Sequence, residues 1–182
     1  PARVKESQEQ WSAVREHVKQ HGMRNSNMLA VAPSATISLI TGCSPATEPL
    51  YSNIYAATTL SGDFTMVNHW LVDDLKAANL WNHSMIEQLK AVDGDVSRLK
   101  IADEQLKAKL SSKYKTAFQV DQFRLIDAAN ARGVWIDMGM SVNLFNEKTS
   151  LKYLSDLYIH AWKIGMKTTY YLRNRTASSI EK

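Results

Sequence analysis

Two short stretches constrain the fold of this chain more than any other feature. Residues 27–33, NMLAVAP, and 166–172, MKTTYYL, show no alternation of polar and apolar positions. They have the mark of strands buried on both faces between helices. The rest of the sequence carries helical spacing or loop residues. Two such strands do not make a complete sheet. The pattern therefore predicts one incomplete α/β domain over residues 1–182, mostly helical, with about two buried strands whose partners come from other sequence. The opening residues, PARVKESQEQW, lack an initiator Met and enter a helical pattern almost at once, which carries the same expectation of a longer parent chain.

The helical segments are set by apolar spacing and terminal signals. Residues 6–21 place Trp11, Val14 and Val18 on one face, and Gly22 stops the helix. Ser34 heads a short helix in SATISLITG. Residues 42–64 read as a loop rich in Gly, Ser, Pro and Asn. The stretch 65–92 is helical, with Val67, Leu71 and Leu75 on one face and a break at NLWNHS. DGDVSRLKIADE reads as a polar connection. Helices follow over 103–113, over 121–138 with Asp121 as cap, and over 150–164 with Leu151, Leu154, Tyr158 and Trp162 at helical spacing. Gly165 closes the last. No internal repeat interrupts this order.

Charge and composition exclude several classes. With 22 Lys and Arg against 18 Asp and Glu, the net charge is +4. The lysines are dispersed, whereas a nucleic-acid surface needs clustered cations interleaved with aromatic residues. No apolar run is long enough to span a bilayer. A single cysteine, Cys43, rules out an internal disulfide and a CxxC site, and fits a reducing compartment. Its small neighbours give it the look of a packed residue. The five histidines form no ligand pattern, so no metal site is expected in this chain.

Two places can carry chemistry. In APSATIS a strand runs into a helix start, where unpaired N–H groups and small hydroxyl residues suit an anion such as a phosphate. The same residues also serve as an ordinary cap. In KTTYYLR two phenols are adjacent, Tyr170 and Tyr171, which also fits plain strand propensity. Glu48, the one acid in the SPATEP loop, suits a structural role as a hydrogen-bonding pin.

These stretches together resemble one family. MRNSNMLAVAPSATISLITGCSPATEPLYSNIY, then LSGDFTMVNHWLVDDLKAANLW, SVNLF and AWKIGMKTTYYLR, are similar to the large, catalytic subunit of class I ribonucleotide reductases, over essentially the whole chain. The resemblance implies the C-terminal portion of a ten-stranded α/β barrel. It implies a part in the radical-based reduction of ribonucleoside diphosphates to deoxyribonucleotides for DNA synthesis. Ser34, Ala35, Thr36, Ile37 and Ser38 would surround the substrate diphosphate; some members carry an acid where Ala35 stands. Tyr170 and Tyr171 would be the last radical relay, inclined to stack, held off regular strand geometry and shielded from solvent.

The resemblance further implies a small subunit that holds the metal-radical cofactor. Its tail would dock in a groove formed partly by the 150–164 helix, unless that stripe is core. Thioredoxin or glutaredoxin would act as reductant, and ATP and dATP effectors would bind elsewhere, in a cytoplasmic enzyme. The radical cysteine and the reducing thiols would belong to the remainder of the large subunit, and RTASSIEK stops short of the family's cysteine-bearing tail. Two other readings stay open at this level: a stand-alone nucleotide- or phosphate-binding module, and a structural piece that completes a barrel without catalysis.

Overall fold

The computed structural model describes residues 2–59, 62–147 and 150–175, without the side chains of 2–7, 35–36 and 58–59. Along them run helices α1 (Ala2–His21) and α2 (Ala35–Thr41), then strands β1 (Ile54–Thr59) and β2 (Gly62–Val67). Helices α3 (His69–Ala77), α4 (His83–Ala91), α5 (Glu104–Lys113) and α6 (Gln122–Gly133) follow, and strand β3 (Leu144–Asn146), helix α7 (Leu151–Lys163) and strand β4 (Leu172–Asn174) end the order. Residues 176–182, which include most of the RTASSIEK stretch, lie outside the described residues.

Side-chain caps start most of the helices where polar residues precede the apolar spacing. Asn82, Asp103, Asp121 and Ser150 each accept a hydrogen bond from the first-turn backbone of the helix that follows. Each such cap is worth about 1 kcal/mol. Glycines end three helices, with Gly22, Gly42 and Gly165 all at positive φ.

Two cores result. In the first, Leu71 and Leu75 of α3 and Leu89 of α4 pack fully buried with Val96, Leu99, Leu110 and Tyr114. Burying each large side chain contributes roughly 1.5–3 kcal/mol. The connection read as polar over 93–104 thus supplies three core residues, Val96, Leu99 and Ile101. Most of its polar residues are exposed, while Val96 in a short 3-10 turn, Leu99 just after it and Ile101 are buried. In the second core, Leu125, Ile126 and Ala129 of α6 meet Leu157 and Ala161 of α7 and Met140, Val142 and Leu144. Gln122 stitches the second core to the preceding chain. It is 2% exposed. Its amide donates to the Ala117 and Val120 carbonyls, and its oxygen accepts from Phe145 N–H.

The strands depart from the sequence expectation. Residues 27–33 form only a single parallel bridge, Val31 to Met140, and are largely exposed rather than buried on both faces. The second predicted strand shifts C-terminally, to Leu172–Asn174, and pairs parallel with the unforeseen β3. The loop expected over 42–64 and the start of the 65–92 helix hold an antiparallel hairpin, β1 against β2, from Ile54↔Val67 to Thr59↔Gly62. The Tyr, Ala and Thr content of IYAATT suits a strand only once a partner is present. α6 ends at Gly133, so residues 134–138 of the expected 121–138 helix are free to pair elsewhere. The two strand pairs do not close a barrel.

Candidate functional site

Segment 138–146 is the spine of the site. On one side, Met138 N–H donates to Leu29 O at 3.0 Å and Ser141 N–H to Val31 O at 2.9 Å. Pro33 has no N–H to continue that pairing, and the chain turns into α2. On the other side, Tyr170 N–H donates to Val142 O and Leu144 N–H to Tyr171 O, both at 2.8 Å. The phosphate-type turn and the tyrosine pair, more than 130 residues apart in sequence by their numbers, therefore flank one strip of backbone.

Between them lies a cavity of about 310 Å³, walled by Pro33 and Ser34, the 44–51 loop, Tyr55, Asn143, Tyr170, Tyr171 and Arg173. The Tyr170 hydroxyl donates to the Tyr171 hydroxyl at 3.1 Å, and the ring centroids are 4.0 Å apart with the planes inclined at 52°. As expected, the backbone at 170–171 lies outside regular strand. The rings are tilted rather than stacked, because the bond between neighbouring hydroxyls inclines them. They are 43% and 53% exposed, so the described residues do not supply the expected shielding. The hydrogen bond to Tyr171, then desolvation, pushes the Tyr170 phenol above its usual pKa, keeping its proton in place at neutral pH. Arg173 stands over two rings, 5.7 Å from the centroid of Tyr171 and 6.0 Å from that of Tyr51. Burial, then the neighbouring Tyr55, raises the Tyr51 pKa, and the Arg173 charge opposes that rise.

Glu48 does pin its loop. It is 6% exposed and its Oε1 accepts from Asn143 N–H at 2.7 Å. Its Oε2 and the Asn143 Oδ1 are buried without a protein partner. A buried carboxylate bonded across 95 residues holds the cavity's loop wall against the spine.

The other candidates fall as follows. Ser34 lines the cavity, and its carbonyl accepts from Ile37 N–H at 2.8 Å, but its hydroxyl makes no cap bond to α2. The side chains of Ala35 and Thr36 lie outside the described residues. Ile37 is 65% exposed, and Ser38 is buried. Cys43 is exposed rather than packed, with the Thr41 hydroxyl 3.0 Å from its sulfur, because Gly42 turns the chain outward after α2. Among the described residues no three His, Cys, Asp or Glu side chains cluster closely enough to hold a metal ion, and no helix is long and apolar enough to cross a membrane. Tyr51, Tyr55, Asn143 and Arg173 were not singled out from sequence; only their place inside the resembling stretches pointed to them.

Comparison with known proteins gives concordant matches. The family model for the ribonucleotide reductase barrel domain matches residues 2–172. The ribonucleoside-diphosphate reductase subunit alpha of Chlamydia pneumoniae is 40% identical over 176 residues, 97% of this chain and 16% of that protein. The large chain of Schizosaccharomyces pombe is 36% identical over 173 residues, 94% of this chain and 21% of that one. Among solved structures, the Actinobacillus ureae class Id ribonucleotide reductase alpha subunit superposes with a TM-score of 0.72 at 29% identity, covering 88% of this chain and 28% of its own. The chain thus spans about a fifth or less of the length of these two curated relatives.

Proposed function

This chain belongs to the ribonucleotide reductase barrel domain family, and from that premise we propose that it is the C-terminal part of the barrel in a class I catalytic subunit. In this reading it contributes the diphosphate-binding turn, Ser34 to Ser38, and the radical relay, Tyr170 and Tyr171, to reduction of ribonucleoside diphosphates. One observation carries the reading: a single cavity has the Pro33–Ser34 turn on one wall and the bonded tyrosine pair on the other.

The geometry suits a relay. When Tyr171 is a phenoxyl radical, one electron passes between rings 4.0 Å apart while the Tyr170 proton crosses the 3.1 Å hydroxyl bond. Tyr171 is then a neutral phenol and Tyr170 the radical. A cysteine in the remainder of the large subunit would receive it, and thiols there, re-reduced by thioredoxin or glutaredoxin, would supply the two electrons of the reaction. The metal-radical centre is assigned to the small subunit, as membership of the class I form implies. Effector nucleotides are assigned to other parts of a cytoplasmic enzyme.

The turn is tested by Thr36→Val in the full-length catalytic subunit. Loss of one charge-assisted donor should weaken diphosphate substrate binding about tenfold or more, with the fold intact. Unchanged affinity in a binding titration would count against the turn and favour a purely structural segment.

The small subunit's tail is assigned to α7. Its buried face is Leu157 and Ala161, while Leu151 is 83% and Trp162 77% exposed. Leu151, Tyr158 and Trp162 of the expected stripe are therefore outward and Leu154 is half-buried, which leaves the exposed apolar surface that helix-in-groove recognition requires. Trp162→Ala should weaken binding of a small-subunit tail peptide by about tenfold or more; equal affinity by calorimetry would remove α7 from the groove.

A further inference from the structure

Two exposed charged residues sit at the end of the site's spine remote from the cavity. One oxygen of Asp137, Oδ2, accepts from both Met28 N–H at 2.8 Å and Leu29 N–H at 3.0 Å. The Lys167 ammonium donates to three successive carbonyls, those of Ile136 and Asp137 at 2.8 Å and of Met138 at 3.2 Å. All three ammonium hydrogens have an acceptor in that arrangement.

These bonds stand where the backbone supplies few. Among the described residues, no backbone hydrogen bond joins 134–139 to 165–169, and the amides of Met28 and Leu29 have Asp137 as their acceptor. The next rung, Val31 N–H to Gly139 O, is long at 3.4 Å. The third segment also comes close to the spine here: a Cβ on Gly139 would lie 2.6 Å from Thr168 Cγ2. Three segments thus converge, and two charged side chains stand in for ladder bonds between them.

We infer that Asp137 and Lys167 are positioning residues, a clasp that sets the register of segment 27–33 and of segment 166–171 against the spine. Register matters at both far ends. Side chains alternate with period two, so a one-residue slip would carry Ser34 off the cavity wall, and a slip of the other segment would misplace the tyrosines. Asp137 governs the turn side and Lys167 the tyrosine side. The functional part of this inference rests on the reading proposed above; the structural part does not.

The test uses the full-length catalytic subunit with its small subunit. Asp137→Ala should speed hydrogen exchange at Met28 and Leu29 about tenfold and raise the KM for diphosphate substrate by a similar factor, with radical yield on the tyrosine pair retained. Lys167→Met should lower that radical yield about tenfold, measured by rapid-freeze electron paramagnetic resonance, with KM retained. Asp137→Asn keeps an acceptor oxygen in place and Lys167→Arg keeps a multidentate donor, so each should restore most of its own readout. Unchanged exchange in Asp137→Ala would overturn the clasp. So would a parallel fall of KM performance and radical yield in both variants, tracking a lower unfolding temperature and without rescue, because that is general destabilisation. If exchange responds as expected while Thr36→Val and the tyrosine variants are silent in an intact clasp, the functional reading fails and the register role stands.

Discussion

Replacing Tyr170 or Tyr171 with Phe, each alone in the full-length catalytic subunit, is expected to abolish turnover while substrate and small subunit still bind. The substitution removes one oxygen and keeps the ring, so packing in a cavity wall is nearly unchanged. What it removes is the only part of the side chain that gives up a proton with its electron. It also removes one end of the 3.1 Å hydroxyl bond that links the pair. A benzene ring is not oxidised at the potential of a phenol, so the radical stops one residue short. Because the rings are 43% and 53% exposed, Phe costs little in unmet hydrogen bonding, and the thermal midpoint should stay within a few degrees. The measurement is deoxynucleotide formation per active site alongside a binding titration for each partner. Near-normal turnover in either variant would reduce that tyrosine to a packing residue.

A second large effect is expected at Gly94, which does not line the cavity. Its φ is +76°, a conformation that L side chains rarely adopt, and an added Cβ would lie 2.5 Å from Asn53 N and 2.6 Å from Ser52 Oγ. Neither neighbour can retreat. Asn53 is 3% exposed and its amide donates to the Gly94 and Tyr114 carbonyls, while its oxygen accepts from Asn68. The Ser52 hydroxyl is shared between the Ile54 and Asp93 carbonyls. Gly94→Ala therefore combines a left-handed backbone penalty of about 1–2 kcal/mol with overpacking of about 1–3 kcal/mol against backbone. It should lower stability by roughly 2–5 kcal/mol, read as a fall in the unfolding midpoint, with loosening of the hairpin and of the Tyr51 wall beside it. A shift under about 1 kcal/mol would mean that the 52–54 and 93–94 segments separate easily and that their close approach is not needed for the fold.

The helices were legible because their signals are local. Asp121 ahead of QFRLI, Gly22 after VKQH and Gly165 after AWKI are cap and stop signals that act within one turn, and the structure keeps these, whereas the Ser34 hydroxyl makes no cap bond. The departure of Tyr170 and Tyr171 from strand geometry was legible only through the resemblance, since a relay role brings two adjacent side chains together and that requires the backbone to bend. The family was legible because the resembling stretches run along nearly the whole chain.

The strands and the site were another matter. Whether IYAATT lies in a loop or a hairpin depends on GDFTMV across the turn, and period-two patterns say nothing of the partner. Val96, Leu99 and Ile101 look like scattered apolar residues in a polar connection until α3, α4 and α5 close over them. Whether the Leu151, Leu154, Tyr158 and Trp162 stripe of α7 is core or surface was undecided by spacing; α6 packs against Leu157 and Ala161 instead, which the spacing did not single out. Glu48 met Asn143 across 95 residues, and Asp137 met Met28 across 109. By itself the sequence determined where most helices lie, several of their end signals and the family. The tertiary structure alone decided which faces are buried and which distant groups share a cavity. Capping and periodicity are written in neighbours four residues apart, whereas strand pairing and burial exist only when segments a hundred residues apart occupy the same space.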